Sequence, residues 1–413
     1  MFRVPDDCNE LSLPIPGLEF RENRCEILTG PPGWFSRKLG SSQGPLVSDY
    51  VTHAAGFEYE NYGIHVGQDD RLTFMCDGHK EIFGSFIDCR KGSSSAGRRV
   101  EIQYAATERR HLVIPRGVAH TFDNLERVVT RDEPVLYSAT ANEDWNVDND
   151  LVAFPRNLSR ACWPTVVTNQ LKLPFDAHLF VSRLSQTALR TPKRYLARHK
   201  VRIGGRARYV MLDASGWKPS SVPPMPDLKR LGVDISSSSH AQTGERSWTV
   251  VPSTDSCVSD VLFLDPCETC RSKVAHSRTR MIYTFLSGEG SDITIAFTDL
   301  RSGSLTFRES GEFRFSVDPR VKISIDPGVA YSFNSSVSHA VRAEHEVFVS
   351  DDEPRRDLMM FGCDLIEMSE LSPGMSVPLI KCPGKIVYLM ARSEVAAGHP
   401  ALTARDQVRE VTS

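Results

Sequence analysis

The sequence predicts an all-β protein that contains two copies of one domain. Two observations support this prediction. Short runs of β-type residues alternate with turn residues along most of the chain, and one sequence phrase occurs twice at a long spacing. Regularly spaced short strands are typical of antiparallel sandwiches and barrels, and a long-period repeat indicates duplicated domains.

The strands of the first copy are expected between residues 50 and 140. Turn residues (Gly, Asp and Asn) separate the predicted strands, which are Leu72–Cys76, Ile82–Cys89, Arg99–Tyr104, His111–Ile114 and Val135–Ser138. Helical periodicity is weak throughout, and its best candidate is Leu179–Arg198. An antiparallel barrel or sandwich is therefore expected.

The repeat is visible at two places with one offset. Gly117-Val-Ala-His-Thr-Phe122 returns as Gly328-Val-Ala-Tyr-Ser-Phe333, 211 positions later. Asp88 and the turn that follows it return at Asp299, also 211 positions later. Gly78 matches Gly288 at a spacing of 210, which indicates a one-residue insertion or deletion between the copies.

Three segments follow from the repeat. Residues 1–165 are predicted to form the first domain, and residues 246–413 a second, degenerate copy. The segment 166–245 is predicted to connect them, since residues 213–245 are rich in Pro and Ser. Strands in the second copy are expected at Ser247–Val251, Val261–Leu264, Ile282–Leu286, Ile293–Phe297 and Val321–Ile325.

Composition excludes several classes of partner. The 413 residues carry a formal net charge of −3, and scattered basic residues argue against a nucleic-acid partner. The sequence has no apolar run near the length of a membrane span, and neither a span nor a secretory signal is expected. Ten dispersed cysteines fit reduced thiols, so a cytoplasmic protein is expected, and homodimerisation is left open.

The first copy contains an ordered set of motifs. They are Tyr62-Gly-Ile-His65, Arg71-Leu72 ahead of Gly78, Ile87-Asp-Cys-Arg-Lys-Gly-Ser93, Ile114-Pro-Arg-Gly-Val-Ala-His-Thr-Phe122, Val135-Leu-Tyr137 and Trp145-Asn-Val-Asp148. This set resembles the dTDP-4-dehydrorhamnose 3,5-epimerase family. The resemblance implies two tandem double-stranded β-helix (jelly-roll, cupin-like) domains. It also implies epimerase or isomerase activity on a nucleotide-linked 4-keto-6-deoxy sugar, in polysaccharide or natural-product biosynthesis.

Such chemistry makes physical demands that histidine and its neighbours can meet. A proton next to a ketone is weakly acidic, so its removal needs a base whose pKa is near neutral, which suits an imidazole. The enolate that forms needs a positive partner, and an acid on the opposite face returns the proton. Neither a metal nor a redox cofactor is needed, and none is expected.

The resemblance assigns roles to individual residues. It implies that His65 is the base, Arg71 the partner of the enolate oxygen and Tyr137 the acid. Asp176 is the counterpart of a distant aspartate that supports the family's base. Four further residues are expected to bind substrate or order the site: His120, Asp88, Arg90 and Tyr62.

The chain departs from the family pattern at two of these positions. Tyr62 replaces an arginine, and Arg71 replaces a lysine. A guanidinium stays cationic but cannot transfer a proton, so Arg71 can stabilise an enolate but cannot replace the lysine in proton transfer.

In the second copy, Tyr331 replaces His120 and Phe348 replaces Tyr137. Either His276 or Ala275 corresponds to His65, depending on the offset. This copy is expected to do no chemistry.

Two other interpretations remain open at this point. One is a metal-dependent bicupin oxygenase or cyclase that acts on a small organic acid, with His65 and His120 as ligands beside a third group. The other is a non-catalytic bicupin that only binds a ligand. A zinc site at Cys267 and Cys270 is weakly indicated, because no second pair of cysteines stands at the proper spacing.

Overall fold

A computed structural model describes most of the two repeated regions. The described residues are 1–23, 25–27, 35–39, 49–76, 78–139, 145–147, 151–172, 196–203, 206–213, 218–219, 229–237, 239–241, 247–250, 258–264, 266–267, 273–288, 290–349, 365–368, 385–389 and 408–410. Within these ranges the regular structure is β-strand, apart from 3-10 turns at Arg160–Cys162 and Lys229–Leu231. None of the described residues belongs to a helix long and apolar enough to cross a membrane.

The strands of the amino-terminal half are short to medium in length. They are β1 (Phe2–Arg3), β2 (Leu11–Ser12), β3 (Glu19–Glu22), β4 (Cys25–Ile27), β5 (Phe35–Leu39), β6 (Asp49–His53), β7 (Asn61–His65), β8 (Gln68–Met75), β9 (Glu81–Asp88), β10 (Arg99–Ala105), β11 (Arg110–Ile114), β12 (Val118–Asp123), β13 (Val129–Asp132), β14 (Val135–Ser138), β15 (Trp145–Val147), β16 (Leu151–Pro155), β17 (Leu171–Lys172), β18 (Leu196–Ile203) and β19 (Arg206–Asp213).

The remaining strands continue the same pattern. They are β20 (Lys218–Pro219), β21 (Val233–Ser237), β22 (Ser239–Ala241), β23 (Ser247–Val250), β24 (Val258–Leu264), β25 (Lys273–His276), β26 (Thr279–Phe285), β27 (Asp292–Asp299), β28 (Ser310–Ser316), β29 (Val321–Ile325), β30 (Val329–Asn334), β31 (His339–Val349), β32 (Leu365–Met368), β33 (Lys385–Leu389) and β34 (Val408–Glu410).

These strands form two compact units that interleave along the chain. The first unit comprises Met1–Arg24, Pro45–Pro219 and His240–Val251. The second comprises Cys25–Gly44, Ser220–Ser239 and Pro252–Ser413. The domain boundaries expected from the sequence, 1–165, 166–245 and 246–413, stay a prediction.

The first unit contains two large sheets. One has six strands in the order β1-β10-β9-β12-β7-β16. The other has the order β2-β3-β11-β8-β13-β6-β23-β22-β20, with β14 also paired to β8. From β7 to β13 the chain passes repeatedly from one sheet to the other, as a double-stranded β-helix requires.

The second unit repeats this topology strand by strand. Its five-stranded sheet contains β28-β27-β30-β25, which matches β10-β9-β12-β7. Its nine-stranded sheet contains β29-β26-β31, which matches β11-β8-β13. The predicted fold class is therefore confirmed: the protein is all-β and contains two tandem cupin-like barrels.

Each unit has an apolar core. The inner face of a sheet is the face that carries these core side chains. In the first unit these include Leu72, Phe74, Phe86, Leu112 and Phe122. The rings of Phe74 and Phe122 lie 5.0 Å apart, and burying one such side chain contributes about 1.5–3 kcal/mol. The inner face serves as the reference for the orientation of every candidate site residue.

Two sequence expectations about the connecting region need correction. Val233 is 1% exposed within the core of the second unit, and its strand β21 pairs with β29. This part of the chain is therefore a strand of the second unit rather than a linker. The predicted helix Leu179–Arg198 is wrong at its end, because Leu196 begins β18; residues 173–195 lie outside the described ranges.

Candidate active site

Two strands of the six-stranded sheet place imidazoles on the inner face of the first barrel. His120 of β12 pairs with Gly63 of β7, and residues paired across strands share a face. His65 follows Gly63 by two residues, so it lies on the same face. His120 precedes the core residue Phe122 by two residues, which also directs it inward.

A buried carboxylate, Asp70 of β8, lies between the two imidazoles. Its Oδ1 is 4.0 Å from Nε2 of His65, and its Oδ2 is 3.5 Å from Nε2 of His120. The Asp70 side chain is only 4% exposed, whereas those of His65 and His120 are 23% and 15% exposed. The two rings stack with centroids 6.1 Å apart.

Hydrogen bonds hold this group in place. Nδ1 of His120 donates to the carbonyl oxygen of Val118 at 3.2 Å. The amide of Gln68 donates to Oδ1 of Asp70 at 2.6 Å. The backbone N–H of Gly117 donates to the carbonyl oxygen of His65 at 2.7 Å, which fixes the end of β7.

Gly117 is required at this anchor for two reasons. Its φ of +81° is a backbone conformation that residues with a side chain rarely adopt. A Cβ there would also lie 2.5 Å from Cγ of Arg90. The Pro-Arg-Gly turn before β12 thus positions both His65 and His120.

Burial lowers the pKa of His120, and the charge of His65 acts in the same direction. The carboxylate of Asp70 acts in the opposite direction. Burial is the largest of these effects, so the pKa of His120 lies below its ordinary value.

Asp70 is the member of this group that sequence reasoning missed. The residues Asp69-Asp70-Arg71 open a strand whose next core residues are Leu72 and Phe74. Counting back by two from Leu72 places Asp70 on the inner face and Arg71 on the outer one. The strand alternation was therefore the signal that could have identified it.

The outer face of β8 carries a separate polar group. Val135 pairs with Asp69, so Tyr137, two residues further along β14, shares the face of Asp69. The guanidinium of Arg116 donates to Oδ1 of Asp69 at 2.9 Å and stacks 3.6 Å from the Tyr137 ring centroid. Burial, together with the charge of Asp69 and a hydrogen bond to it, raises the pKa of Tyr137.

Arg71 belongs to the same outer face. It pairs with Val113 in the β8–β11 register, and burial lowers its pKa while the charges of Glu133 and Asp69 act against this. By strand alternation, Arg71 lies on the opposite face of β8 from Asp70, and the roles expected for Arg71 and Tyr137 stay predictions. A one-residue step along β8 separates the two groups.

Asp88 and Arg90 form the turn between β9 and β10. Nε of Arg90 donates to Oδ1 of Asp88 at 2.8 Å, and Nη2 donates to Oδ2 at 2.8 Å. Ser93 donates to the same carboxylate at 2.6 Å. Burial opposes ionisation of Asp88, but these hydrogen bonds outweigh it and lower the pKa to about 2. The interactions are those of a structural turn.

Tyr62 lies apart from the candidate site. It is 1% exposed in a cluster on the outer face of the six-stranded sheet, where its ring stacks on Phe154 at 5.2 Å. Its hydroxyl is 2.7 Å from the hydroxyl of Ser85. Asp176, expected to support the base, lies outside the described residues.

The strand pairing in the second barrel shows whether His276 or Ala275 corresponds to His65. Val274 pairs with Tyr331 as Gly63 pairs with His120. The N–H of Gly328 donates to the carbonyl oxygen of His276 at 2.7 Å, as that of Gly117 does to His65. His276, not Ala275, is therefore the counterpart of His65.

The rest of the group is replaced in the second barrel. Met281 pairs with Ile325 as Asp70 pairs with Ile114, and the hydroxyl of Tyr331 is 2.5 Å from that of Tyr283. One imidazole and the carboxylate are thus replaced by Tyr331 and Met281. Phe348 lies in β31, but its side chain is outside the described set, as is Cys270.

The cupin-like fold with inward imidazoles agrees with a match to a known family. Residues 61–153 match the family model described as dTDP-4-dehydrorhamnose 3,5-epimerase. The resemblance inferred from the sequence is confirmed: this segment, less than a quarter of the chain, carries the pattern of that family. The sequence has no match among curated proteins.

Solved structures of this kind are distant. The RmlC epimerase of Legionella pneumophila in complex with dTDP-4-keto-L-rhamnose is 17% identical, over 41% of this chain and 90% of that chain, with a TM-score of 0.28. The RmlC epimerase of Mycobacterium tuberculosis is 16% identical over 31% and 67%, with a TM-score of 0.24. The dTDP-4-dehydrorhamnose 3,5-epimerase of Bacillus anthracis, with TDP and PPi bound, is 14% identical over 43% and 96%, with a TM-score of 0.24.

Proposed function

We propose that the first barrel is an epimerase or isomerase that moves a proton at the carbon next to a ketone. The substrate class is a nucleotide-linked 4-keto-6-deoxy sugar. The family match of residues 61–153 supports the class of reaction. The single observation that carries the proposal is the buried carboxylate of Asp70 beside two inward imidazoles.

His65 is the base in this proposal. Asp70 favours a hydrogen on the Nε2 atom that faces it, so Nδ1 of His65 holds the lone pair that takes the substrate proton. When His65 becomes an imidazolium, the carboxylate 4.0 Å away stabilises the charge. General-base assistance of this kind contributes about 10²- to 10⁴-fold in rate.

Asp70 supports the base in this proposal, the role that the resemblance implies for Asp176, which lies outside the described residues. Asp70 lies on the same barrel face as the base and is fixed by Gln68. His120 completes the inner face beside Asp70, where it contacts the substrate. The roles that the resemblance gives to Arg71, as partner of the enolate oxygen, and to Tyr137, as the acid that returns the proton, stay part of this proposal.

Deuterium incorporation tests this function. Incubating the protein with a dTDP-linked 4-keto-6-deoxy sugar in D₂O, followed by NMR, should show exchange next to the ketone. His65→Gln should abolish it, and His276→Gln, the same strand position in the second barrel, should leave it unchanged. Wild-type protein that binds the sugar without exchange would identify a binding protein instead.

A further inference from the structure

We propose that His65, Asp70 and His120 bind one divalent first-row transition-metal ion. The ligand set is two imidazole nitrogens and a carboxylate, and these donor atoms all lie within 4.8 Å of one another. Imidazole and carboxylate together suit ions such as Zn²⁺, Co²⁺ or Fe²⁺. The inference goes beyond the proposed function, because it concerns the site before substrate binds.

The distances fit an ion after a small adjustment. Donors that each lie about 2 Å from a metal are separated by roughly 3 to 4 Å. Nε2 of His120 is 3.5 Å from Oδ2 of Asp70, and Nε2 of His65 is 4.0 Å from Oδ1 of Asp70. Rotation of the partly exposed His65 ring would bring its nitrogen closer to the other two donors, which all lie within 4.8 Å.

The tautomer of His120 gives the second argument. The carbonyl of Val118 can only accept, so Nδ1 of His120 carries the hydrogen. Nε2 of His120 is therefore the ring atom that faces the Asp70 carboxylate, 3.5 Å away and 4% exposed, and it is the atom available to a metal. A metal-bound imidazole also typically donates its other N–H to a backbone carbonyl, as His120 does.

The second barrel provides a comparison within the same chain. At the equivalent positions Met281 and Tyr331 replace the carboxylate and one imidazole. Of the three ligand positions only that of His276 keeps its residue type there, so among the described residues the ion is expected in the first barrel alone.

His65 cannot bind a metal ion and act as the base at the same time. A ring that binds a metal through Nε2 holds its hydrogen on Nδ1, so it cannot take a substrate proton. The proposed proton transfer is therefore measured on chelator-treated protein, and metal binding is measured without substrate. Failure of one result leaves the other standing.

Titration of the chelator-treated full-length protein with Co²⁺ alone tests the site, with calorimetry for stoichiometry and visible absorption for imidazole coordination. Wild-type protein should take up one equivalent. Asp70→Asn and His120→Gln should each weaken binding by at least 100-fold, since even outer-shell changes cost about 10- to 100-fold. His276→Gln should bind as wild type does.

Two results would overturn the proposal. One is that wild-type protein shows no saturable uptake of Co²⁺. The other is that Asp70→Asn takes up Co²⁺ as well as wild-type protein does. Thermal unfolding of each variant checks that it is folded. If Asp70→Asn does not fold, His120→Gln decides the outcome.

Discussion

At the scale of single residues, two adjacent aspartates have opposite surroundings. Asp70 faces the inner side of the first barrel beside His65 and His120. Asp69 faces the outer side, where it accepts from Arg116 and lies near Tyr137. Because side chains alternate along a strand, one step in sequence changes which chemistry a carboxylate can serve.

This pair allows a matched test. Asp70→Asn should lower the rate of deuterium uptake by roughly 100-fold, because the imidazolium of His65 loses its anionic partner. Asp69→Asn should leave the rate within a few-fold of wild type and cost about 1 kcal/mol of stability through the weakened contact with Arg116. The measurement is the NMR exchange rate of both variants at one pH.

The opposite ranking would contradict the account. If Asp69→Asn lost more activity than Asp70→Asn, the reacting site would be the outer group that contains Tyr137 and Arg71, as the family resemblance alone implies.

At the scale of elements, the turns after β9 and β27 are built alike. Asp88 accepts from Arg90 and Ser93, and Asp299 accepts from Arg301 and Ser304. In both turns burial opposes ionisation, but the hydrogen bonds outweigh it and lower the pKa to about 2. The two carboxylates therefore fix the same connection in each barrel.

These lowered pKa values predict an acid dependence of stability. A group whose folded pKa is depressed stabilises the protein fully above its unfolded pKa, 3.8 here, and loses that contribution as pH falls towards 2. The free energy of unfolding, measured by urea titration, should fall in this window. In Asp88→Asn combined with Asp299→Asn the fall should be smaller. An identical pH dependence in both proteins would show that the turns contribute nothing.

Much of the strand pattern could be predicted because it is local. Val135–Ser138 and Val321–Ile325 were predicted with their observed bounds, and the other predicted strands differ from the observed ones by a few residues at their ends. The repeat with a 211-residue offset is equally visible, since turn residues such as Gly117 and Gly328 have a fixed φ requirement.

The side-chain arrangement of the site was harder to predict from the sequence than the strands were. The insertion indicated by Gly78 and Gly288 left His276 and Ala275 as alternatives until the backbone register decided between them. Arg71 and Tyr137 matched motifs in order, but motif order does not state which face a side chain occupies. A shift of one residue moves a side chain to the other face, and only the pairing of β8 with β11 and β14 determines it.

At the scale of the whole molecule, two barrels of one topology carry one complete group of site residues. The second barrel keeps His276 but has Met281 and Tyr331 in place of the other two. Its core is intact, with Phe285 and Phe333 each 1% exposed. The second barrel thus keeps the fold while the chemistry is assigned to the first.

Stoichiometry tests this division. Calorimetric titration of the chelator-treated protein with a dTDP-linked 4-keto-6-deoxy sugar should give one binding site per chain. Double substitution of His65 and His120 by Gln should weaken that binding, because both rings line the site. Two equivalent sites per chain would contradict the assignment of the second barrel as inactive.

The central claim is that the reacting group lies on the inner face of the first barrel, at His65, Asp70 and His120. A crystal structure of chelator-treated protein with a non-exchangeable analogue of the keto sugar tests it most directly. The carbon next to the keto position is expected within about 3–3.5 Å of Nδ1 of His65, the range for a near-attack geometry. An analogue bound instead against Asp69, Arg116 and Tyr137 would contradict it.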